Sequence, residues 1–123
     1  MLCLGFDSGT TTCKGVVLDA DSGKVLTQAS APHSFVEGLP RGHVEQDPQI
    51  WSDAAERVIL TCLQKIGERR SEVVAIGVSA QQHGLVALDD SNQPVRPAKL
   101  WCDTSTAEQS EKLNRAPWGT QML

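Results

Sequence analysis

The first side chains that could do chemistry lie in residues 1–14, MLCLGFDSGTTTCK, where a short apolar run ends on the carboxylate of Asp7. The chain then passes Gly9 and three threonines and reaches Lys14 before a second apolar run begins. An aspartate can hold Mg²⁺ directly or through its waters, and a glycine lets successive backbone N–H groups come close to a phosphate. The stretch therefore suits a metal–phosphate site, although an ordinary hairpin with a polar loop would carry the same residues.

Three more groups of polar residues follow, each beside an apolar run. They are residues 45–47 (EQD), 81–83 (QQH) and 101–103 (WCD). Ligands gather at strand ends in open α/β sheets, so this distribution favours a binding cleft. Taken singly, each group has a structural explanation, with Glu45 and Asp47 as a helix-capping pair and His83 as a surface histidine. Trp101 alone would be a core residue and Asp103 a turn residue.

Several function classes are disfavoured by what the sequence lacks. It has no Walker-type GxxxxGK[ST], no HExxH and no Ser–His–Asp order, which weighs against a P-loop NTPase, a zinc protease and a hydrolase. The net charge is −4 and the longest basic run is Arg69 and Arg70, so no nucleic-acid partner is expected. The four cysteines form no CxxC pair, and no membrane span or signal peptide is visible. These features predict a cytoplasmic chain without a membrane partner.

The hydrophobic pattern predicts an α/β domain with a mixed sheet. The composition, 40% hydrophobic over 123 residues, is sufficient for a real core. Residues 2–7, 15–20 and 25–31 read as strands joined by short turns, which makes a three-strand meander. Residues 73–79 are nearly continuously apolar and β-branched, the pattern of a strand covered on both faces.

Two helices complete the predicted domain. Asp47 and Pro48 are a capping residue and a first-turn proline, and an apolar stripe at steps of three and four continues from there to Ile66. The last helix is expected over residues 105–114, capped by Thr104 or Ser105 and stopped by Pro117. Residues 85–88 are predicted to form a further strand, and residues 89–93 the turn after it.

Together, the motifs resemble the FGGY carbohydrate kinases of the sugar kinase/heat-shock protein 70/actin superfamily. FDSGTTTCK is similar to the first phosphate motif of that superfamily, and HVEQDPQIW resembles the EQDP-x-x-W segment of the FGGY family. IGVSAQQHG and KLWCD resemble two further elements of its xylulokinase branch. The four occur in family order and cover nearly the whole chain, which makes them far more specific than any one alone.

The resemblance implies ATP-dependent phosphorylation of a sugar hydroxyl, with D-xylulose or a related ketose as the substrate. Asp7 would position Mg²⁺ near the phosphates, and backbone N–H groups would cradle phosphate. The residues expected at ATP and its metal are Asp7, Gly9, Thr10, Thr11, Thr12 and Lys14. Those expected at the sugar are Gln82, His83, Trp101 and Asp103. Lys14 fits the basic position of the motif, where it could equally stabilise the hairpin.

Two departures from the family pattern concern the sugar side. Thr104 and Ser105 follow Asp103 where many members carry an arginine, which puts a sugar contact there in doubt. Glycerol-kinase-like members have Arg-Glu in place of His83 and Gly84, so glycerol is disfavoured.

Length is the larger departure, because FGGY kinases are several times longer and close two actin-like domains on ATP and sugar. Residues 1–123 would be an incomplete N-terminal part of the first domain, which has the ribonuclease H-like (actin-like ATPase) fold. The family's general-base aspartate is expected beyond residue 123, so no residue is assigned as catalytic. We expect the parent protein to be a sugar kinase and the 123-residue chain to be inactive alone.

An alternative hypothesis is a truncated, non-catalytic module that forms a homo-oligomer or binds a partner through an exposed sheet edge. A sensor or chaperone ATPase of the same superfamily would share the N-terminal hairpin. It would have no reason to carry the other three motifs.

Overall fold

The computed structural model describes residues 1–116, so the predicted stop of the last helix at Pro117 lies outside the described residues. Its strands and helices follow in a simple order. The elements are β1 (Leu2–Ser8), β2 (Thr12–Asp19), β3 (Lys24–Pro32), β4 (Glu45–Gln46), α1 (Gln49–Ile66), a 3₁₀ helix (Gly67–Glu72), β5 (Val73–Ala80), β6 (Ala98–Lys99) and α2 (Ala107–Arg115).

The main sheet has four strands in the order β3-β2-β1-β5. β2 pairs antiparallel with β1 and β3, whereas β5 pairs parallel with β1, so the predicted meander and mixed sheet are confirmed. β2 begins at Thr12, earlier than predicted, because its ladder with β3 continues to Thr12 opposite Pro32. The parallel pair sets Asp7 opposite Ser79, which brings the C-terminal ends of β1 and β5 together.

The core lies between one face of the meander and helix α1. Its buried residues form two adjoining clusters, Leu2, Leu4, Val17 and Cys62 in one, and Cys13, Ala31, Ala54 and Val58 in the other. α1 lies very close to β2 at Gly15, where an added Cβ would stand 2.4 Å from Cγ1 of Val58. Each fully buried aliphatic side chain contributes about 1.5–3 kcal/mol, so this face fixes the hairpin that carries Asp7.

Strand β5 differs from its prediction. It forms at residues 73–80, but it is an edge strand and is not covered on both faces. The side chains of Val74, Ile76 and Val78 are 63%, 61% and 65% exposed, because α1 covers β1, β2 and β3 and no element of residues 1–116 covers this part of β5. A continuously apolar strand therefore lies at an open edge of the described sheet.

The segment after β5 is less regular than predicted. Residues 85–88 form no strand and make only isolated bridges, Leu85 with Lys99 and Leu88 with Pro94. The turn at residues 89–93 does form, since the Asp89 amide donates to the Gln93 carbonyl. A short antiparallel pair, β4 with β6, was not predicted; two residues per strand are too few to show a period.

Helix α2 begins later than predicted, at Ala107. Its capping residue by position is Thr106, and neither Thr104 nor Ser105 caps it; the Ser105 hydroxyl donates to Asp103 instead. Among the described residues, no helix combines the length and apolar character needed to cross a membrane.

Candidate functional site

A cavity of about 420 Å³, named here the polar cavity because most of its lining residues have polar side chains, lies where the C-terminal ends of β1 and β5 meet. Its walls come from three separate parts of the chain: the end of β1 with the turn after it, the segment after β5, and the segment after β6. The lining residues are Asp7, Gly9, Thr10, Ala80, Gln81, Gln82, His83 and Trp101. The cavity therefore brings together six of the ten residues predicted at the nucleotide and the sugar.

The turn at residues 9–12, called here the N-terminal turn, forms one wall. The Gly9 amide donates to the Thr12 carbonyl at 3.1 Å, which closes the turn. A Cβ on Gly9 would lie 3.2 Å from that carbonyl oxygen and 3.5 Å from Oδ2 of Asp7. Only glycine leaves this space in front of the carboxylate open. The turn thereby presents a concave, polar surface of the kind a phosphate requires.

The carboxylate of Asp7 is available to a ligand. Asp7 is exposed and forms no ion pair with any other group of residues 1–116. The amides of Thr10 and Thr11 likewise make no hydrogen bond within the described part of the chain. Hard cations prefer carboxylate oxygens and phosphates accept from backbone amides, so these groups suit a metal-bound phosphate.

The segment after β5 forms a second wall. Gln82 and His83 are both exposed there. The backbone N–H of Gln81 donates to the Ser8 carbonyl at 3.0 Å, which fixes the segment beside β1. His83 has a φ of 62°, in the left-handed region that costs a non-glycine residue about 1–2 kcal/mol. Such backbone strain is found preferentially at functional sites.

Trp101 contacts the N-terminal turn from the segment after β6. Its indole Nε1 donates to Oγ1 of Thr10 at 3.0 Å, across 91 positions of sequence. The side chain remains 60% exposed and lines the cavity. A residue predicted at the sugar thus contacts a residue predicted at the nucleotide.

Four predicted site residues do not line the cavity. Thr11 and Thr12 belong to the N-terminal turn without reaching the cavity wall, and Lys14 lines two other surface depressions on the sheet. Asp103 is turned inward, where its Oδ2 accepts from the Val44 amide at 2.8 Å. The contacts predicted for these four residues stay predictions.

Asp103 belongs to an ion cluster formed by Glu45, Arg96, Lys99 and Asp103, named here the buried ion cluster because its two carboxylates are buried, although the Arg96 side chain is 51% exposed. Nζ of Lys99 lies 3.1 Å from Oε1 of Glu45 and 3.3 Å from Oδ2 of Asp103. Arg96 also pairs with Glu45. Glu45 is therefore an ion-pair residue, and its assignment as half of a capping pair was wrong; Asp47 alone caps α1, by accepting from the Gln49 amide at 2.9 Å.

The charges of this cluster are balanced internally. The hydrogen bond from Arg96, reinforced by Lys99, holds the pKa of Glu45 below its usual value. Burial raises the pKa of Asp103, but hydrogen bonds from Ser105, the Val44 amide and Lys99 outweigh burial and hold it well below its usual range. Ligand atoms of His43, Glu45 and Asp103 lie within 4.8 Å of one another, but both carboxylates are already paired with the Lys99 ammonium.

Sequence reasoning missed the residues that support the N-terminal turn from inside. Nδ1 of His33 lies 2.9 Å from the Gly9 carbonyl oxygen, and Nε2 of Gln46 donates to the Thr10 carbonyl at 2.8 Å. Trp51 in turn donates to Oε1 of Gln46 at 2.9 Å. The quoted EQDP-x-x-W motif contains Gln46 and Trp51 and could have pointed to them, whereas no sequence pattern pointed to His33.

Comparison with known proteins gives a consistent result. Residues 2–122 match the model of the FGGY family of carbohydrate kinases, N-terminal domain. A xylulose kinase from Streptomyces coelicolor is 41% identical over 112 residues, which are 91% of this chain and 22% of that protein. A xylulose kinase sequence from Arthrobacter sp. is 42% identical over 106 residues, covering 86% of this chain and 98% of that sequence. The chain thus spans about a fifth of the length of the Streptomyces relative.

Solved structures agree with this result. Xylulose kinase from Rhodospirillum rubrum superimposes with a TM-score of 0.85 at 26% identity, over 93% of this chain and 23% of that one. Xylulose kinase from Bifidobacterium adolescentis gives a TM-score of 0.70 at 36% identity, over 95% and 22% of the two chains. The predicted actin-like ATPase fold is confirmed by these neighbours and by the mixed sheet. By family model, relatives and fold, the chain belongs to the FGGY family of carbohydrate kinases.

Proposed function

We propose that this chain is the N-terminal part of an ATP-dependent kinase that phosphorylates a hydroxyl group of a ketose, with D-xylulose as the first candidate. The observation that carries the proposal is the polar cavity, because Asp7 and the N-terminal turn share it with Gln82, His83 and Trp101. A kinase must hold a phosphate donor and a hydroxyl acceptor side by side. The names of the Streptomyces and Arthrobacter relatives support xylulose as the acceptor.

The residues of the cavity fit Mg²⁺ and ATP. Bound Mg·ATP would supply the phosphoryl group, and the charge that develops on it must be balanced by the protein and the metal. Asp7 offers an unpaired carboxylate to the metal, and the open space at Gly9 lets backbone come close to the phosphates. The role of this chain would be to position Mg·ATP and to help neutralise the charge on its phosphates.

The wall formed by the segment after β5, called here the acceptor wall, has polar groups suited to a sugar. His83 can donate one hydrogen bond and accept another, which matches neighbouring hydroxyl groups, and the Gln82 amide has the same double capacity. Asp103 would influence the sugar site only indirectly, because its carboxylate is already bound by Lys99, Ser105 and the Val44 amide. We assign the general base to a further part of the longer kinase, and a cytoplasmic location belongs to the same proposal.

A chimera tests this proposal. The chain replaces the matching segment of the Streptomyces coelicolor xylulose kinase, and coupled ATP turnover is measured on a panel of pentuloses, pentitols and hexuloses. We expect turnover with D-xylulose above all other sugars. A folded chimera that is inactive on the whole panel, beside an active parent enzyme, would refute the proposal.

A second candidate function is association through β5. It is favoured by one observation, the exposure of Val74, Ile76 and Val78 along an edge strand, since unpaired edges with apolar side chains invite pairing with another chain. In the isolated chain the occupant would be a second copy. Sedimentation at increasing concentration tests this, and a monomer at every concentration would exclude it.

A further inference from the structure

Three consecutive carbonyl groups of the N-terminal turn each accept a hydrogen bond from a group behind it. The Gly9 carbonyl faces Nδ1 of His33 at 2.9 Å. The Thr10 carbonyl accepts from Nε2 of Gln46 at 2.8 Å. The Thr11 carbonyl accepts from the backbone amide of His33, also at 2.8 Å.

Holding these carbonyls also sets the direction of the amides that follow them. A trans peptide unit is planar, so the C=O of one residue and the N–H of the next point in opposite directions. Gly9 and Thr10 direct their carbonyls at donors on buried residues, His33 at 6% and Gln46 at 0% exposure. The N–H groups of Thr10 and Thr11 therefore point away from those donors, and both are without a partner within residues 1–116.

Gln46 is itself held in one orientation. Its Oε1 accepts from Nε1 of Trp51 at 2.9 Å, which leaves Nε2 directed at the Thr10 carbonyl. A flipped amide would set oxygen against oxygen at Thr10 and N–H against N–H at Trp51, so two hydrogen bonds would be lost inside the protein. The glutamine and the tryptophan of the EQDP-x-x-W motif thus act as one unit.

His33 is held in one tautomer for a similar reason. A carbonyl oxygen only accepts, so Nδ1 carries the proton that it donates to Gly9. Its Nε2 is buried without a partner within the described residues. The ring is thus used on the side that faces the turn.

We propose that His33, Gln46 and Trp51 are positioning residues that fix the amides of the N-terminal turn in the direction from which phosphate binds. The inference rests on the proposed function of that turn as a phosphate site. Donors that are already oriented need no reorganisation when charge arrives, which is the main source of electrostatic stabilisation in such sites. None of the three residues has to touch the nucleotide.

Backbone ¹⁵N relaxation of the ligand-free 123-residue chain tests the positioning role without any need for activity. In the unmodified chain we expect order parameters at Thr10 and Thr11 near the rigid value of about 0.85, and in Gln46→Met below about 0.6. Trp51→Phe keeps the packing and removes only the Nε1 donor, so it should give a smaller drop at the same amides. Gln64→Met, on the exposed side of α1, is the matched control and should change neither amide.

Histidine variants supply a conservative rescue. His33→Asn carries an amide nitrogen near the position of Nδ1 and should keep the turn rigid, whereas His33→Leu should not. A purely structural role would lower the melting temperature without this selectivity for the two amides. Unchanged order parameters in folded Gln46→Met and Trp51→Phe would overturn the inference.

Titration of the same samples with Mg²⁺ and inorganic tripolyphosphate separates this inference from the proposed function. If both hold, we expect Gln46→Met to weaken binding about tenfold, which corresponds to one lost charge-assisted contact. If the turn is rigid in the unmodified chain and loosened by Gln46→Met, but neither binds tripolyphosphate, the phosphate site fails and the positioning role stands. If the chain binds tripolyphosphate and Gln46→Met changes neither rigidity nor affinity, the positioning role fails alone.

Discussion

Two acidic regions of this molecule hold carboxylates in opposite environments. In the polar cavity, Asp7 is exposed and has no cationic partner within residues 1–116. In the buried ion cluster, the side chains of Glu45 and Asp103 are only 5% and 3% exposed and share the Lys99 ammonium. Both regions lie within one small fold, and both hold carboxylates that the sequence alone presents as candidates for chemistry.

The difference shows how environment decides what a carboxylate can do. A buried carboxylate must have its charge met by partners, and once met it can take up a metal ion only by losing them. The cluster therefore serves stability, by holding β4, β6 and the turn after β6 together. Asp7 is exposed and needs no protein partner for its charge, so that charge is available to a ligand.

The sharpest test of this comparison is Asp7→Asn in the Streptomyces chimera. If the free carboxylate positions a metal at the phosphates, its loss should lower the turnover rate by about 10²–10³, the usual cost of removing one group that stabilises the transition state. Sugar KM should change much less. Stability of the isolated chain should remain within about 0.5 kcal/mol, because no partner is lost.

Asp90→Asn is the matched control, since Asp90 is exposed and lies in the turn at residues 89–93, away from the cavity. It should leave both turnover and stability unchanged. A chimera in which Asp7→Asn behaves like Asp90→Asn would remove the functional half of the comparison.

The converse change is Glu45→Gln in the buried ion cluster. It leaves the volume almost unchanged and removes the charge that Arg96 and Lys99 share. We expect the free energy of unfolding, measured by urea titration of the isolated chain, to fall by about 1.5–3 kcal/mol, the value of hydrogen bonds to a charged group. Tripolyphosphate affinity should not change. A variant with full stability and weakened binding would reverse the roles of the two regions.

Much of the fold was predictable because its signals are local. The period-2 strands of the meander, the turn residues between them, and Asp47 with Pro48 at the start of α1 each act within a few residues. The error at β5 has a different origin. A run of apolar β-branched residues indicates burial, but which element provides the cover is a long-range property, and in residues 1–116 none does.

Six of the ten residues predicted at the nucleotide and the sugar line one cavity, whereas the residues that support the N-terminal turn from behind were not predicted. Asp7, Gly9, His83 and Trp101 line the cavity, as expected of residues that follow strands or belong to motifs. The hydrogen bond from Gln46 to Thr10 spans 36 positions of sequence, and the ion pair of Glu45 with Arg96 spans 51. Because no local spacing reports such pairs, Glu45 was read as a capping residue when it is an ion-pair residue.

Dependence of stability on pH is a third way to test the comparison. The pKa values of Glu45 and Asp103 are both lowered in the folded chain, so in acid the folded state binds fewer protons than the unfolded state. Their contribution is complete above the unfolded values of about 4.3 and 3.9 and is lost as pH falls through the lower folded values.

We expect the free energy of unfolding to fall as the pH drops below about 4.3, and to continue falling below pH 3 because the pKa of Asp103 lies well below its usual range, with a slope of up to about 1.4 kcal/mol per pH unit for each group. Urea titrations at several pH values measure it. Glu45→Gln and Asp103→Asn should each flatten the curve. A curve that neither variant flattens would show that the buried ion cluster does not stabilise these two carboxylates in their charged form.

The smallest expected effect concerns the acceptor wall of the cavity, at His83. His83→Asn removes the ring and keeps a residue type that tolerates the left-handed backbone found there, with φ of 62°. Loss of one or two hydrogen bonds to the sugar should raise the KM for D-xylulose in the chimera about fivefold, roughly 1 kcal/mol, with turnover at saturation little changed. His83→Gly, which relieves the backbone as well, should raise KM equally and leave the chain at least as stable. The two effects then separate recognition from strain, because a rise in KM shared by both variants belongs to the ring. A KM unchanged in both would place the sugar elsewhere than at His83.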